Sequence, residues 1–494
     1  MWGRSRPGAW YRWYHLALMT ATYITGELSH FLVGIVSRQM AQELHYGDIG
    51  CVERENATDA GADCYTFTDN TSCTAVDACE WTYTGLGIQY QVLAGPAFIG
   101  AFTLAGLVFG SLADSYNRQR LLTFSTALLT VSTFLMGFAT EYWHLVLFRM
   151  CTAAGEAGFA PLSSGMISDQ FPPQLRGMAM SIFTWGIYFG YGISYAIGNY
   201  VSAADIMGQS WRWAYYVAAI PGAVLCCLHL TAHDPRTRQA ALSDGEHDLY
   251  RIKTSESEAA PVAAAEAAEG VGPRAGWWSR FVVDKLRVFL QPSILLLLLG
   301  ASMRHTAGFC WSTNTQLYFQ TYYPTADLGL WLSWVSIVGG SIGVTVGGVV
   351  SDRLVKRIGL RARIWVLSAS QLVATPFAVG VLYFPPQWCF VSLLTAYLFA
   401  EMWFGVVLAI VVELVEPDVK SSTVAIFLFI INNVGGNMPL AVDGLGDVIG
   451  YRDALYVLYP GMYFASSVVF LLTAFALRRD GQPPAAAQEE MTES

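Results

Sequence analysis

A handful of ionisable side chains stand inside long apolar stretches of this chain, and their spacing groups them. Glu27 and His30 are three residues apart and Arg149 and Glu156 are seven apart, so each pair shares one face of a helix. Arg304 and His305 are neighbours, and Glu401 stands alone in its stretch. A carboxylate or imidazole that passes between dry and wet surroundings can take up and release a proton, because its acidity differs between the two. Glu27, His30, Glu156 and Glu401 are therefore the candidates for proton coupling. Plainer readings stand beside these: Glu156 as a fixed ion-pair partner of Arg149, Glu27 as a solvated group, His30 as an interior hydrogen-bonding residue. Arg149 and Arg304 could bind an anionic headgroup, since a guanidinium fork grips two oxygens at once. Trp185 and Tyr188 could line an apolar, aromatic cavity, and Asn432 and Asn433 could offer a polar binding face. Packing and interhelical hydrogen bonding are the alternatives for these four.

The elements that must carry these residues are membrane spans. Of 494 residues, 54% are hydrophobic and only 13% charged, against about 25% charged in a soluble globular chain. That excludes a soluble multidomain enzyme. Lys and Arg number 28 against 37 Asp and Glu, with no free basic stripe, which argues against a nucleic-acid partner. Weakly polar windows lie near residues 14–36, 90–112, 120–139, 143–168, 177–200 and 213–232, and again near 290–312, 328–350, 362–384, 388–414, 421–442 and 453–477. Each approaches the ~20 residues that cross a bilayer core. The expected fold class is all-α, a polytopic membrane protein with twelve transmembrane helices. An ionisable group at bilayer depth costs at least ~2.5 kcal/mol, so each one named above asks for a partner or a function.

With the N-terminus inside, 22 of the 28 Lys and Arg fall on inner segments, which places both termini in the cytoplasm. No cleavable leader is expected, because the first span is too long and no small-residue cleavage site follows it. The expected organisation is a six-helix half over 1–232 with an outer loop at 46–87, a polar cytoplasmic linker over 233–289, a second half over 290–478 and a disordered tail over 479–494. The outer loop holds Cys51, Cys64, Cys73 and Cys79, an even number that fits two disulfides in an oxidising compartment, with three pairings open. Zinc is the weaker reading, since the spacings lack a C-x-x-C knuckle, and no metal site is expected. The sequons at Asn56 and Asn70 fall in the same loop. Such a loop fits the plasma membrane and the endolysosomal membrane alike.

Two turns repeat. GSLADSYNRQR after the second span and GVVSDRLVKR after the eighth each give Gly, an Asp four residues on, and a cation four further. Asp169, Pro173 and Arg176 likewise match Glu413, Pro417 and Lys420, each shifted by 244. Two correspondences at nearly one offset indicate parallel six-helix repeats. Asp114 with Arg118, and Asp352 with Arg353, are the expected cytoplasmic gate, because Asp can cap a helix and accept a charge-assisted bond that opens and closes. Glu156 shifted by 244 falls one short of Glu401, so each half places a carboxylate at a similar depth. No Walker A or H-E-x-x-H sequence occurs, and neither an enzyme nor a cofactor is expected.

D-S-Y-N-R at Asp114 to Arg118, F-R-M-C-T-A-A-G-E-A-G-F at Phe148 to Phe159, P-P-Q-L-R-G-M-A-M-S-I-F after it, and WRWAYYVAAIPG at Trp211 to Gly222 resemble the major facilitator superfamily. Within it they resemble the Spinster-like group of lysophospholipid and sphingolipid transporters. The resemblance implies an alternating-access carrier, monomeric, for a lysolipid or sphingoid phosphate, coupled to protons. Departures are Ser115 where the superfamily has Arg, and Glu27 with His30 near where the group has an acid followed by Arg. The cysteine loop is a third. A carrier for small organic anions or other soluble solutes, and a non-transporting receptor on the same fold, are the alternatives.

Overall fold

The computed structural model describes residues 9–54, 64, 67, 69–234, 289–359, 361–414 and 420–480, with side chains at a few helix-end positions left out. Residues 235–288 of the expected 233–289 linker, residues 481–494 of the expected tail, and Asn56 lie outside the described residues. Every expected window is helical. The first half comprises α1 (Ala9–Ile35), α4 and α5 (Ile88–Ala94, Pro96–Ser115), α6 (Arg118–Met136), α7 and α8 (Tyr142–Glu156, Phe159–Gln170), α9 (Pro173–Ala196) and α10 (Ser210–His229). The second comprises α11 (Pro292–Tyr322), α12 (Leu328–Ile358), α13 (Arg361–Tyr383), α14 and α15 (Pro386–Ala400, Phe404–Leu414), α16 and α17 (Lys420–Asn437, Pro439–Ile449), and α18 with α19 (Tyr451–Tyr456, Met462–Asp480).

Proline opens α5, α9, α11, α14 and α17, where its missing N–H costs nothing. Asn117 and Asp327 cap α6 and α12 through their side-chain oxygens. Among the described residues, nine helical rods are long and apolar enough to cross a membrane. The windows filled by α1, α6 and α9 are helical but more polar. The excess polarity of α1 and α6 points inward: His15, Thr22, Thr25, Glu27, Ser29 and His30 on α1, and Gln119, Ser125, Thr126 and Thr133 on α6, are all buried.

The repeat expected from the turns recurs in the packing. α1 lies on α9 as α11 lies on α16; α5 on α7 as α12 on α14; α6 on α7 as α13 on α14; and α10 on α6 as α19 on α13. The halves meet where α9 packs on α12, α5 on α16, α1 on α11 and α4 on α17.

At one end of the bundle, hereafter the loop end, the chain between α1 and α4 forms a small capped module. It contains α2 (Ser37–Leu44), α3 (Asn70–Thr74) and an antiparallel pair β1 (Ile49–Glu53) and β2 (Cys79–Tyr83), with Cys51 opposite Trp81. Of the three open pairings, Cys51 joins Cys73 and Cys64 joins Cys79, each with Cα atoms 5.7 Å apart. Thr71 and Ser72 bond to the Asp69 cap of α3 and hold its carboxyl down to about 2, so the cap stays charged in an acidic compartment. Asn70, at the start of α3, is exposed. Peptide mapping of the unreduced protein should return the two crosslinks Cys51 to Cys73 and Cys64 to Cys79; fragments joining Cys51 to Cys64 or to Cys79 would show a different module.

Candidate functional site

The fourth and tenth windows are each broken at their carboxylate. α7 ends at Glu156, and Ala157 and Gly158 form a turn before α8 begins. α14 ends at Ala400, and Glu401, Met402 and Trp403 intervene before α15. A break frees backbone carbonyls that hydrocarbon cannot satisfy, so protein groups must. The Ser125 hydroxyl donates to the Gly155 carbonyl. The Ala400 carbonyl accepts from Arg304 Nε and Nη2 at 3.2 and 3.0 Å and from Gln371 Nε2 at 3.1 Å. Gln371 carried no signal in the sequence beyond being a polar residue in an apolar run.

Around the first break, Glu156 meets the helical face of Glu27 and His30. His30 Nδ1 lies 3.3 Å from Glu156 Oε1 and 4.0 Å from Glu27 Oε2. All three side chains are over nine-tenths buried, and one atom from each lies within 4.8 Å of the others. Among the described residues, Glu156 Oε2 and His30 Nε2 have no hydrogen-bond partner. The Tyr23 side chain, which carried no signal in the sequence, stands beside Glu27. Glu27 fits because Gly190 of α9 packs against it: a Cβ there would lie 2.6 Å from the Glu27 Cβ.

Arg149 does not form the ion pair with Glu156 that stood as the plainer alternative. Its Nε donates to the Leu93 carbonyl at 3.3 Å, its Nη1 to the Ser29 carbonyl at 3.4 Å, and its guanidinium sits 4.3 Å from the Phe98 ring centre. Seven residues along a helix share a face, but the α7 face at Arg149 looks toward α4 and α1 rather than along its own axis. The Phe98 ring in turn lies 4.0 Å from the His30 ring, centre to centre, so the cation and the carboxylate cluster share one aromatic wall.

The second break is built differently. Glu401 Oε1 pairs with Arg304 Nη2 at 2.9 Å, and the guanidinium lies 4.9 Å from both the Trp403 and Tyr463 ring centres. Tyr188, from the other half, donates to Glu401 Oε2 at 3.1 Å. Gly340 of α12 admits that tyrosine, since a Cβ at 340 would overlap its ring. His305 neighbours the Phe309 and Trp403 rings, with the Asn432 side chain nearby. Asn433 donates to the Phe429 carbonyl of its own helix at 2.8 Å. Trp185 is 36% exposed and donates to Thr345 at 3.1 Å, a second bond between halves at this depth.

Toward the loop end, further bonds join the halves. Tyr90 donates to the Thr313 carbonyl, Gln91 to Asn314 Oδ1 at 3.1 Å, Gln316 to Asn199 at 2.7 Å and Tyr200 to Asp327 at 2.9 Å. These are neutral bonds or bonds to a single carboxylate, and they close this end.

At the opposite end the expected gate is corrected in one partner. Arg118 pairs with Asp169 at 3.0 Å, within its own half; the side chain of Asp114 lies outside the described residues. In the second half Asp352 pairs with Arg363 at 2.8 Å, not with Arg353, which is exposed. Arg363 also holds Glu413 at 2.8 Å. Arg353 directly follows Asp352 on α12, and adjacent residues on a helix face apart; Arg363 arrives from the next helix. Asp169 and Glu413, matched in the sequence, are thus the equivalent anions of one repeated clasp.

Two halves that pack alike, joined at one end and enclosing polar clusters at mid-depth, define the architecture of a carrier that rocks about a central site. Residues 17–439 match the Major Facilitator Superfamily, and the chain belongs to it. It is a membrane transporter, not an enzyme. It is 24% identical over 449 residues to a probable sphingolipid transporter, spinster homolog 2 of Arabidopsis thaliana, covering 85% of this chain and 84% of that one. A stretch of 147 residues is 33% identical to the sphingosine-1-phosphate transporter SPNS2 of Danio rerio, 28% of this chain and 29% of that. In fold it is similar to a bacterial homolog of the human lysosomal transporter Spinster, solved inward-facing and unoccupied, with TM-score 0.63, 17% identity and coverage of 97% and 100%.

Removing Arg304 would leave Glu401 mostly buried without its cation, so Arg304→Met is expected to cost about 3–5 kcal/mol in unfolding in detergent. Arg304→Met with Glu401→Gln should recover most of that. A loss under about 1 kcal/mol in the single variant would show that the pair is not buried as described.

Proposed function

We propose that the chain is an alternating-access secondary transporter of an amphiphilic lipid, of lysophospholipid or sphingosine phosphate type, coupled to protons. The observation that carries the coupling is the Glu27, His30 and Glu156 cluster: two buried carboxylates around one imidazole, with no Lys or Arg in ion-pair distance among the described residues. Such a group can hold a proton when dry and lose it when water enters from the other end. Glu401, locked to Arg304 and Tyr188, acts as the bond between halves that must break as they rock. The amphiphile rests on the Spinster-like relatives and on Arg149, whose guanidinium sits on the aromatic wall beside the proton cluster. A charge moving down a 100 mV potential is worth about 2.3 kcal/mol, sufficient for roughly 50-fold accumulation.

The reading places both termini in the cytoplasm, the disulfide module outside or in a lumen, and the protein in the plasma or endolysosomal membrane as a monomer. On that topology the state described is closed to the outside. The polar 233–289 segment would then link the halves on the cytoplasmic side.

Uptake of labelled lysophospholipid and sphingosine phosphate into proteoliposomes tests the proposal. An imposed proton gradient should stimulate uptake, and Glu156→Gln should lower the stimulated component by on the order of tenfold, about 1.4 kcal/mol. Arg149→Ala should lower uptake with and without the gradient. Lipid uptake indifferent to pH and to Glu156→Gln would end the coupling; absence of lipid flux with flux of soluble anions, or binding without any flux, would end the lipid carrier. Topology has its own check: expressed in eukaryotic cells, the chain should show a glycosidase-sensitive mass that Asn70→Gln reduces, whereas an unmodified Asn70 accessible to cytosolic reagents would reverse the orientation.

A further inference from the structure

One cavity lies away from both central clusters. It opens between the start of α6 and the end of α10, opposite the loop end, and measures about 720 Å³. Arg120, Thr123, Phe124 and Ala127 line it from one face of α6, at steps of three, four and seven. Leu230 and His233 form the facing wall. Polarity is graded along this face: Arg120 stands in the first turn of α6 and Ala127 two turns deeper, about 10 Å along the axis. Phe124 is 60% exposed and Leu230 76% exposed.

The charges nearby leave Arg120 as the group that selects. Arg118 is committed to Asp169. Asp234, also on the wall, is buried and accepts the Arg118 backbone N–H at 2.7 Å. Gln119 and His229 form the inner wall and are saturated: Gln119 Nε2 lies 2.9 Å from His229 Nδ1, and His229 Nε2 lies 2.7 Å from Thr22. Asn117 caps α6 with its carboxamide oxygen, which leaves its NH₂ to donate. The guanidinium of Arg120 has no hydrogen-bond or ion-pair partner among the described residues; only its backbone N–H is used, by that cap.

We propose that this cavity binds an acidic phospholipid of the surrounding bilayer, its phosphate on Arg120 and Asn117 and its first acyl methylenes on Phe124 and Leu230. A charge at one end of a helix face and exposed apolar side chains one to two turns deeper match a headgroup above a chain; a partner helix would need an apolar stripe throughout. A zwitterionic headgroup would bring a second cation to Arg120, which an acidic one does not. On the proposed topology this is the cytoplasmic leaflet, where anionic lipid is concentrated. The inference is independent of what the central site carries.

Native mass spectrometry of the full chain, exchanged with phosphatidylglycerol and phosphatidylcholine of matched chains, provides the test. The wild type should retain phosphatidylglycerol about fivefold better. Arg120→Gln, an exposed change, should abolish that preference, and Arg54→Gln in the disulfide module should leave it intact. Equal retention of the two lipids by the wild type, or a preference that survives Arg120→Gln, would overturn the site.

Discussion

The architecture answers to one constraint: charge held at the centre of a helical bundle that has little water to solvate it. Two arginines and three carboxylates sit there, each nearly or mostly out of solvent. A charge in such a place is tolerated only when paired, hydrogen-bonded or neutralised by a proton. The breaks in the fourth and tenth windows, the glycines that let Tyr188 and Glu27 close in, and the rings around Arg149 and Arg304 are all devices for meeting it.

The two halves meet that constraint in opposite ways. In the second, Glu401 has a guanidinium at 2.9 Å and a tyrosine hydroxyl at 3.1 Å, and Arg304 Nε and Nη2 also donate to the carbonyl freed by the break. That cluster is closed chemically. In the first, Arg149 spends its donors on two carbonyls of other helices and leaves Glu156 to a histidine. A fixed cation neutralises permanently, whereas an imidazole and a second carboxylate do so only as protons come and go. The second cluster joins the halves through Tyr188 with a paired carboxylate, whereas the first, on the function proposed above, is the group whose charge changes.

The closed end and the clasped end differ in a related way. Bonds between halves near the disulfide module use amides, hydroxyls, carbonyls and the single carboxylate of Asp327, groups that exchange readily for water. At the opposite end the strong pairs, Arg118 with Asp169 and Arg363 with Asp352 and Glu413, stay within each half. Each half is thus tied within itself at that end, and the seam between them near the module is held by weaker contacts.

Much of this was legible in the residues. Low charge content and apolar windows determine that the chain spans a membrane, because the bilayer admits few other solutions. The repeated turns determine two like halves, and the same offset already matched Asp169 with Glu413, the anions of the two clasps. Local patterning also placed Glu27 with His30, since three residues along a helix is a fixed geometry. Partners on different helices were decided only by the tertiary structure. Glu156 is 126 positions from His30 and Glu401 is 213 from Tyr188, and which faces meet depends on how each helix is rotated about its axis. The same reason moved the gate from Arg353 to Arg363, chose one disulfide pairing of three, and turned Arg149 away from the carboxylate on its own helix.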